Sequence, residues 1–287
     1  MTSLPKPAAF GDSRALPKAL AALCADKLCA ACCAVTLVVA LACFCAPLIA
    51  PFAYDAQNLS AAATPPCLQH PLGTDMLGRD ILSRILYGGR VSFAVGLLAT
   101  FVSIAIGVCY GMVSGMAGGK TDSAMMRIVD IIYSLPFTIF VILLMIAFGR
   151  SLWLIFAAIG AVEWLTMARI VRAMTLDLKS RQFAEAAAVL GQTKFGIMRR
   201  HIFPNLLGSV LVCAALTVPS VMLLESFLSF LGLGVQAPLP SWGSMIKDGA
   251  EYMEDAPWML VFPALVFSAT LYCLNKIGET LSETFGK

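Results

Sequence analysis

The chain has 287 residues, of which 59% are hydrophobic and only 13% are charged, and its mean hydropathy is +0.84. Soluble domains carry charged residues at about a quarter of their positions, so this composition excludes an ordinary soluble domain and indicates a membrane protein. The net charge of +3 is too small to suggest a nucleic-acid-binding surface.

Residues 1–27 form a basic tail that is rich in proline and alanine. The apolar run that follows is at least about 20 residues long, which is enough to cross a bilayer and longer than the apolar core of a signal peptide. We therefore expect a cytoplasmic tail followed by an uncleaved first helix, with residues 28–287 forming the membrane domain.

The cysteines cluster near this first helix. Cys29, Cys32 and Cys33 have the spacing of half a zinc site, but the sequence contains only two histidines and no second pair of metal ligands follows. We expect no metal here and interpret the cysteines as small packing residues.

Six apolar segments are long enough to cross a hydrocarbon core of about 30 Å. They are residues 28–50, 91–117, 128–148, 152–172, 206–233 and 258–281. The sequence therefore predicts an all-α membrane protein with six transmembrane helices.

The basic residues predict the orientation of these helices. Fifteen of the 20 lysines and arginines lie in the tail or on the same side of the membrane as the tail. The other five are Arg79, Arg84, Arg90, Arg150 and Lys247. The positive-inside rule then places both termini in the cytoplasm. Trp153, Trp242 and Trp258 fall at the predicted outer ends, where aromatic rings favour the interface.

Two polar segments, 51–90 and 234–257, lie on the predicted outer side. Asp80 and Arg84 suit a short interfacial helix. The sequence leaves two roles open for these segments: contact with an outer soluble partner, or capping of the helix bundle. The candidate contact residues are Asp75, Arg79, Asp80 and Trp242.

The helix predicted at 91–117 carries Gly107, Gly111 and Gly115 at four-residue spacing. Small residues in this register let a second helix approach closely. The spacing fits equally well a neighbouring helix of this chain or a second membrane subunit.

The longest cytoplasmic connection, 173–205, contains the sequence EAAAVLGQTKFGIMRRHIFP from Glu185 to Pro204. Apolar residues recur at helical spacing up to Leu190, and Gly191 then permits a turn. Phe195 follows among basic residues, and Pro204 suits the first turn of the next helix. This pattern predicts a docking site for a soluble partner.

Glu185-Ala186-Ala187, Gly191 and the Ile-Phe-Pro run ending at Pro204 resemble the EAA signature of bacterial ABC importer permeases. HPLGTDMLGRDILSRILYGG at 70–89 and LSFLGLGVQAPLPSWGSMI at 228–246 are similar to the C-type permease of dipeptide, oligopeptide and nickel importers. The resemblance implies a type I ABC importer permease fold in the bacterial inner membrane.

The same resemblance implies partners. They are a second permease subunit, two ATPase subunits and an extracytoplasmic solute-binding protein. Residues of the EAA segment would dock on the ATPase. They are Glu185, Ala186, Ala187, Gly191, Gln192, Thr193, Lys194, Phe195, Arg199 and Pro204. The alternative is that the alanines only pack and that Gly191 only ends a helix.

The chain is not expected to hydrolyse ATP. Gly118-Gly119-Lys120-Thr121 lacks the upstream glycine of a phosphate-binding loop, since Ser114 stands there. No segment is left for a nucleotide-binding domain, so ATP and magnesium would be bound by partner subunits, and we expect no cofactor in this chain.

Two carboxylates, Glu163 and Glu225, lie within predicted spans, where ionisable groups are costly and often functional. Each is a candidate for the translocation pathway, and the alternative is hydrogen bonding inside the bundle. Pro136 and Pro219 are candidate kinks. Besides a peptide importer, these features allow a nickel or metal-chelate importer, or an ion-coupled secondary transporter.

Overall fold

The computed structural model describes residues 23–148 and 152–285. Most of the predicted tail and Arg150 lie outside the described residues. In chain order the helices are α1 (Lys27–Phe44), α2 (Ala46–Ile49), α3 (Ile81–Ala117), α4 (Gly119–Tyr133), α5 (Phe137–Phe148), α6 (Leu152–Lys179), α7 (Gln182–Val189), α8 (Lys194–Ile197), α9 (Phe203–Phe230), α10 (Trp242–Glu251) and α11 (Trp258–Phe285). A 3₁₀ turn covers Leu59–Ala61, and a π-helical turn, Met198–Ile202, joins α8 to α9.

The described part of the chain is all-α, as predicted, apart from an isolated β-bridge between Thr74 and Asp80. Among the described residues, four helical segments are long and apolar enough to cross a membrane: α1, α3, the continuous stretch Lys194–Phe230 and α11. The shorter α5 is also apolar. Helix α6 has 28 residues and packs along α3.

The expectation of a separate interfacial helix at Asp80 and Arg84 is wrong. The Asp80 side chain accepts a hydrogen bond from the backbone N of Ser83 at 2.8 Å and so caps α3. Helix α3 then continues through Gly88 and Gly89. A Cβ atom at Gly89 would lie 2.6 Å from the ring of Trp242. The two glycines therefore allow close packing inside one helix and do not end it.

The predicted span 128–148 is divided into α4 and α5. The break falls at residues 134–136, just before α5 begins at Phe137. Proline disfavours the helical conformation of the residue before it and cannot donate a backbone hydrogen bond. Pro136 therefore separates two helices, whereas Pro219 lies inside the continuous helix α9.

The glycine stripe of α3 is used within this chain. Built Cβ atoms at Gly107 and Gly111 would lie 2.9 Å from the carbonyl oxygen of Trp164 and 2.9 Å from the backbone N of Arg172 on α6. A Cβ at Gly115 would lie 2.8 Å from Thr175. Of the two alternatives for this stripe, the structure supports close packing of α3 against α6.

Trp242 is a core residue, so its ring is not exposed to the surroundings of the protein as expected for an interfacial tryptophan. Its side chain is fully buried, and its Nε1 donates to the carbonyl oxygen of Ile85 at 2.9 Å. Phe93 and Phe267 contact its ring edge to face, with centroids 5.4 and 6.0 Å away. Trp258 is partly buried and donates to the Thr74 carbonyl at 3.1 Å. The side chain of Trp153 lies outside the part of the chain that the structure describes.

Candidate functional site

The connection between α6 and α9 is a well-formed helical turn. Helix α7 ends in a Schellman motif: the backbone N of Gly191 donates to Ala188 and that of Gln192 donates to Ala187, at 3.0 and 3.1 Å. Gly191 has a φ of +80°, which a side chain would strain, although no atom lies within 4 Å of its built Cβ. The sequence therefore needs glycine here for its backbone conformation, not for space.

The next turn is fixed by Thr193. Its side chain accepts a hydrogen bond from the backbone N of Gly196 at 3.1 Å and so caps the short helix α8. Pro204 lies in the first turn of α9, where its missing N–H is tolerated. Gln192 Oε1 lies 3.1 Å from His201 Nε2, which joins the two sides of the turn.

One face of this connection is buried against the bundle. Ala184 and Ala187 of α7 and Ile197 of α8 are buried, and Ile202 is fully enclosed. They pack in one cluster with the residues of α3 and α6 that end nearby. Ala187 is therefore a packing residue, while its neighbours Glu185 and Ala186 are exposed.

The other face is unusually apolar for an exposed surface. Val189, Leu190 and Phe195 are 88%, 82% and 66% exposed. Glu185 and Lys194 lie beside them and are also exposed. These five residues are termed the docking surface below.

The charges near the docking surface have no ion-pair partners in the part of the chain that the structure describes. Within residues 23–148 and 152–285, neither Glu185 nor Lys194 forms an ion pair, and the same holds for the exposed side chains of Arg199 and Arg200. Exposed apolar side chains with a rim of free charges are typical of a protein-binding site.

The base of α6, from which this connection starts, is tied to α4. Arg172 Nε and Nη2 donate to the two carboxylate oxygens of Asp122 at 2.5 and 2.6 Å. The hydrogen bond from Arg172 holds the pKa of Asp122 below its usual range. Lys179 Nζ donates to the carbonyl oxygen of Met116 at 3.0 Å.

A second, more exposed pair joins the same helices, since Arg169 Nη2 lies 2.8 Å from Asp130. The guanidinium of Arg169 also stacks 4.3 Å from the ring centroid of Tyr133. Sequence reasoning missed both pairs because about 40 to 50 residues separate the partners.

Glu225 is fully buried among serines. Its carboxylate accepts hydrogen bonds from Ser229 at 2.7 Å and from Ser92 at 3.3 Å. Ser92 Oγ in turn accepts one from the backbone N of Trp242 at 3.2 Å. Glu225 therefore joins α9 to α3 and to the start of α10. Glu163 on α6 is only half-buried and forms no hydrogen bond or ion pair with the described residues.

The predicted outer contact residues face inward. Asp75 is 5% exposed; its Oδ2 accepts from Arg79 Nε at 2.6 Å and lies 3.2 Å from Arg84 Nη1. Asp80 is 2% exposed and lies 2.9 Å from His70 Nδ1. The side chains of Asp75, Asp80 and Trp242 therefore hold the outer cap of the bundle together, and their contact with an outer partner stays a prediction.

Comparison with protein families gives two matches. Residues 107–283 match the model described as "Binding-protein-dependent transport system inner membrane component". Residues 18–71 match the model described as "N-terminal TM domain of oligopeptide transport permease C".

Individual relatives are similar over most of the chain. The oligopeptide transport system permease protein OppC of Haemophilus influenzae is 50% identical over 83% of this chain and 77% of its own length. OppC of Escherichia coli K12 is 49% identical over 87% of this chain and 83% of its own. The dipeptide transport system permease protein DppC of Bacillus subtilis is 42% identical over 83% of this chain and 74% of its own length.

A solved structure shows the same fold at low sequence identity. A chain of the inward-facing MetNI methionine ABC transporter superposes with a TM-score of 0.53 and 18% identity, over 70% of this chain and 97% of that one. The predicted ABC importer permease fold is thereby confirmed. The family match covers more than half of the chain, and the relatives span most of it. The chain therefore belongs to the family of binding-protein-dependent transport system inner membrane components.

Proposed function

We propose that this chain is a membrane subunit of an ATP-driven importer and forms half of the pathway for dipeptides and oligopeptides. The observation that carries the proposal is the identity of 42–50% to permeases named for oligopeptide or dipeptide transport. These names favour peptides over nickel or a metal chelate, and membership of a binding-protein-dependent transport family favours an ATP-driven system over an ion-coupled secondary transporter.

As an inner-membrane transport component, the chain is not itself an enzyme, and membership of such a system implies a partner permease, an ATPase and a binding protein. We further propose that the complex contains a distinct second permease and two ATPase subunits, and that both termini of this chain lie in the cytoplasm. The excess of basic residues on one side supports the orientation.

The docking surface is the part that we assign to the ATPase. Its three apolar side chains are exposed, and a partner that covers them would remove apolar area from water. Glu185 and Lys194 supply charges of both signs at its edge. Gly191 fixes the angle between α7 and α8, so that a movement of the ATPase at this surface is transmitted to α6 and α9.

Of the two intramembrane carboxylates, Glu163 suits the translocation pathway better. It is half-buried and has no partner among the described residues. Glu225 is enclosed by hydroxyl groups that satisfy it, so we assign it a structural role at the junction of α3, α9 and α10.

The test is reconstitution of the chain in proteoliposomes with a partner permease, ATPase subunits and binding protein. We expect ATP-dependent uptake of a radiolabelled tripeptide. Glu185→Gln and Gly191→Ala should insert normally but lower the uptake per ATP hydrolysed. Glu279→Gln, which removes an exposed carboxylate at the end of α11, is the matched control.

Unchanged coupling in both Glu185→Gln and Gly191→Ala would contradict the assignment of this surface to the ATPase. Uptake by the purified chain alone under a proton gradient would contradict the ATP-driven function. Preferential uptake of a radiolabelled nickel chelate would contradict peptides as the cargo.

A further inference from the structure

A cavity of about 430 Å³ opens on the predicted outer side, between the start of α3, the end of α9 and α10. Its lining includes three cations, Arg79, Arg84 and Lys247, which are termed the cationic end, and three apolar residues, Leu231, Val235 and Leu239, which are termed the apolar wall. The carboxylate of Asp248 and several uncharged polar residues also line the cavity.

The cationic end has more positive charge than its buried carboxylate can balance. Asp75 is shared by two guanidinium groups: Arg79 Nε lies at 2.6 Å and Arg84 Nη1 at 3.2 Å. Arg84 is 5% exposed, and its Nη1 makes no hydrogen bond with the described residues. Asp248, the other nearby carboxylate, is 3.8 Å from Arg84 and 44% exposed. A buried charge is costly unless it is well paired, so this end of the cavity favours an added anion.

Lys247 is the cation that is free to meet such an anion. It lies on α10, its side chain is 38% exposed, and its loose ion pair with Glu251 has a distance of 3.6 Å. Exposed pairs of this kind contribute little, so the lysine can exchange partners easily. Arginine and lysine are the usual ligands of a carboxylate.

The size of the cavity and its apolar wall limit the class of ligand further. The volume lies within the range of about 300–1,000 Å³ that is typical of small-molecule sites. A single acidic side chain from a partner protein would occupy only the cationic end. The end of a peptide supplies both parts, since it has a carboxylate next to a side chain that can lie against Leu231, Val235 and Leu239.

We propose that this cavity receives the C-terminal carboxylate of a transported peptide, together with the side chain of its last residue, on the outer side of the membrane subunit. This inference rests on the proposed peptide-import function and adds a substrate site within this chain. Arg84 and Lys247 hold the carboxylate, and the apolar wall contacts the last side chain.

The experiment compares two tripeptides in the reconstituted importer: tri-leucine with a free C-terminus and the same peptide with a C-terminal amide. Uptake rates are measured at equal occupancy of the binding protein, which is determined separately for each peptide. The wild type should transport the free acid faster than the amide. Lys247→Gln should lower the acid-to-amide ratio about threefold, and Lys247→Glu should lower it roughly tenfold.

Glu251→Gln is the matched control because it breaks the same ion pair but leaves the lysine in the cavity; the ratio should not fall. An equal loss for both peptides in Lys247→Gln would overturn the proposal and assign Lys247 to contact with the binding protein. An unchanged ratio with unchanged rates would also overturn it. If the wild type takes up nickel chelate and no peptide, the proposed function itself fails, and this result is distinct from either outcome for the variants.

Discussion

The outer cap and the cytoplasmic connection are both polar interruptions of an apolar chain, but they use their polar residues in opposite ways. In the cap, Asp75 and Asp80 are buried and bonded to neighbours in the same chain. In the connection, Glu185 and Lys194 are exposed and lack ion pairs within the described residues. Charged side chains that are paired within the chain indicate a structural role. Unpaired charged side chains beside exposed apolar groups indicate a surface that binds a partner.

The largest effect on stability is expected for Asp75→Ala. This change leaves the buried guanidinium group of Arg84 and the partly buried one of Arg79 without their shared carboxylate. Removal of one partner from a buried ionic group costs about 3–5 kcal/mol. Thermal unfolding of the purified protein in detergent measures the loss. Asp55→Ala is the control because Asp55 is an exposed aspartate of the same segment; equal melting temperatures for the two variants would refute the internal role of Asp75.

An intermediate effect is expected for Asp122→Asn, which weakens the bond between α4 and α6. The loss should be about 1–2 kcal/mol, since Arg172 is about a third exposed. Because the folded pKa of Asp122 is lowered, its stabilisation is fully present above the unfolded pKa of about 4 and is lost as the pH falls through the folded pKa.

Melting temperatures of wild type and Asp122→Asn should therefore differ at neutral pH and converge in acid. The exposed counterpart Asp130→Asn should have a smaller effect. A difference between wild type and Asp122→Asn that persists unchanged at acidic pH would show that the carboxylate charge is not what stabilises this contact.

A smaller effect is expected for Gly191→Ala, which tests the backbone of the docking surface. The positive φ should cost the variant about 1 kcal/mol. Gly191→Asn should cost less, because asparagine tolerates this region better. Measurement of both melting temperature and uptake per ATP should rank glycine above asparagine and asparagine above alanine. Equal behaviour of the two variants would mean that the conformation of Gly191 does not matter.

The all-helical fold was predictable from the sequence, and so was the family to which the chain belongs. Apolar runs and the EAA segment are local patterns, and the structure and the relatives confirm the all-α fold and the family. Helix boundaries near Gly88, Gly89 and Pro136 were less predictable. Glycine can end a helix or admit a neighbour, and the positions of distant residues such as Cys43 and Trp242 decide between these roles.

Burial of individual polar residues could not be read from the sequence. Asp75 and Glu185 both stand next to apolar and basic residues, yet one is enclosed and the other is exposed. The difference depends on contacts between distant segments, such as the approach of Trp242 to α3, and no local pattern encodes them. For the same reason the Asp122 to Arg172 pair emerged only from the fold.

The most direct test of the contrast between cap and connection is the affinity of the membrane complex for its ATPase subunits when Leu190 and Phe195 are both changed to serine. Both side chains are exposed, so the melting temperature should be unchanged, with a stability change within about 0.5 kcal/mol. The dissociation constant should rise at least about tenfold. Leu48→Ser is the control, because Leu48 is 88% exposed but lies far from this surface along the chain, on α2. Unchanged affinity in the double variant would contradict the account, and a large fall in melting temperature would show that these side chains support the fold instead.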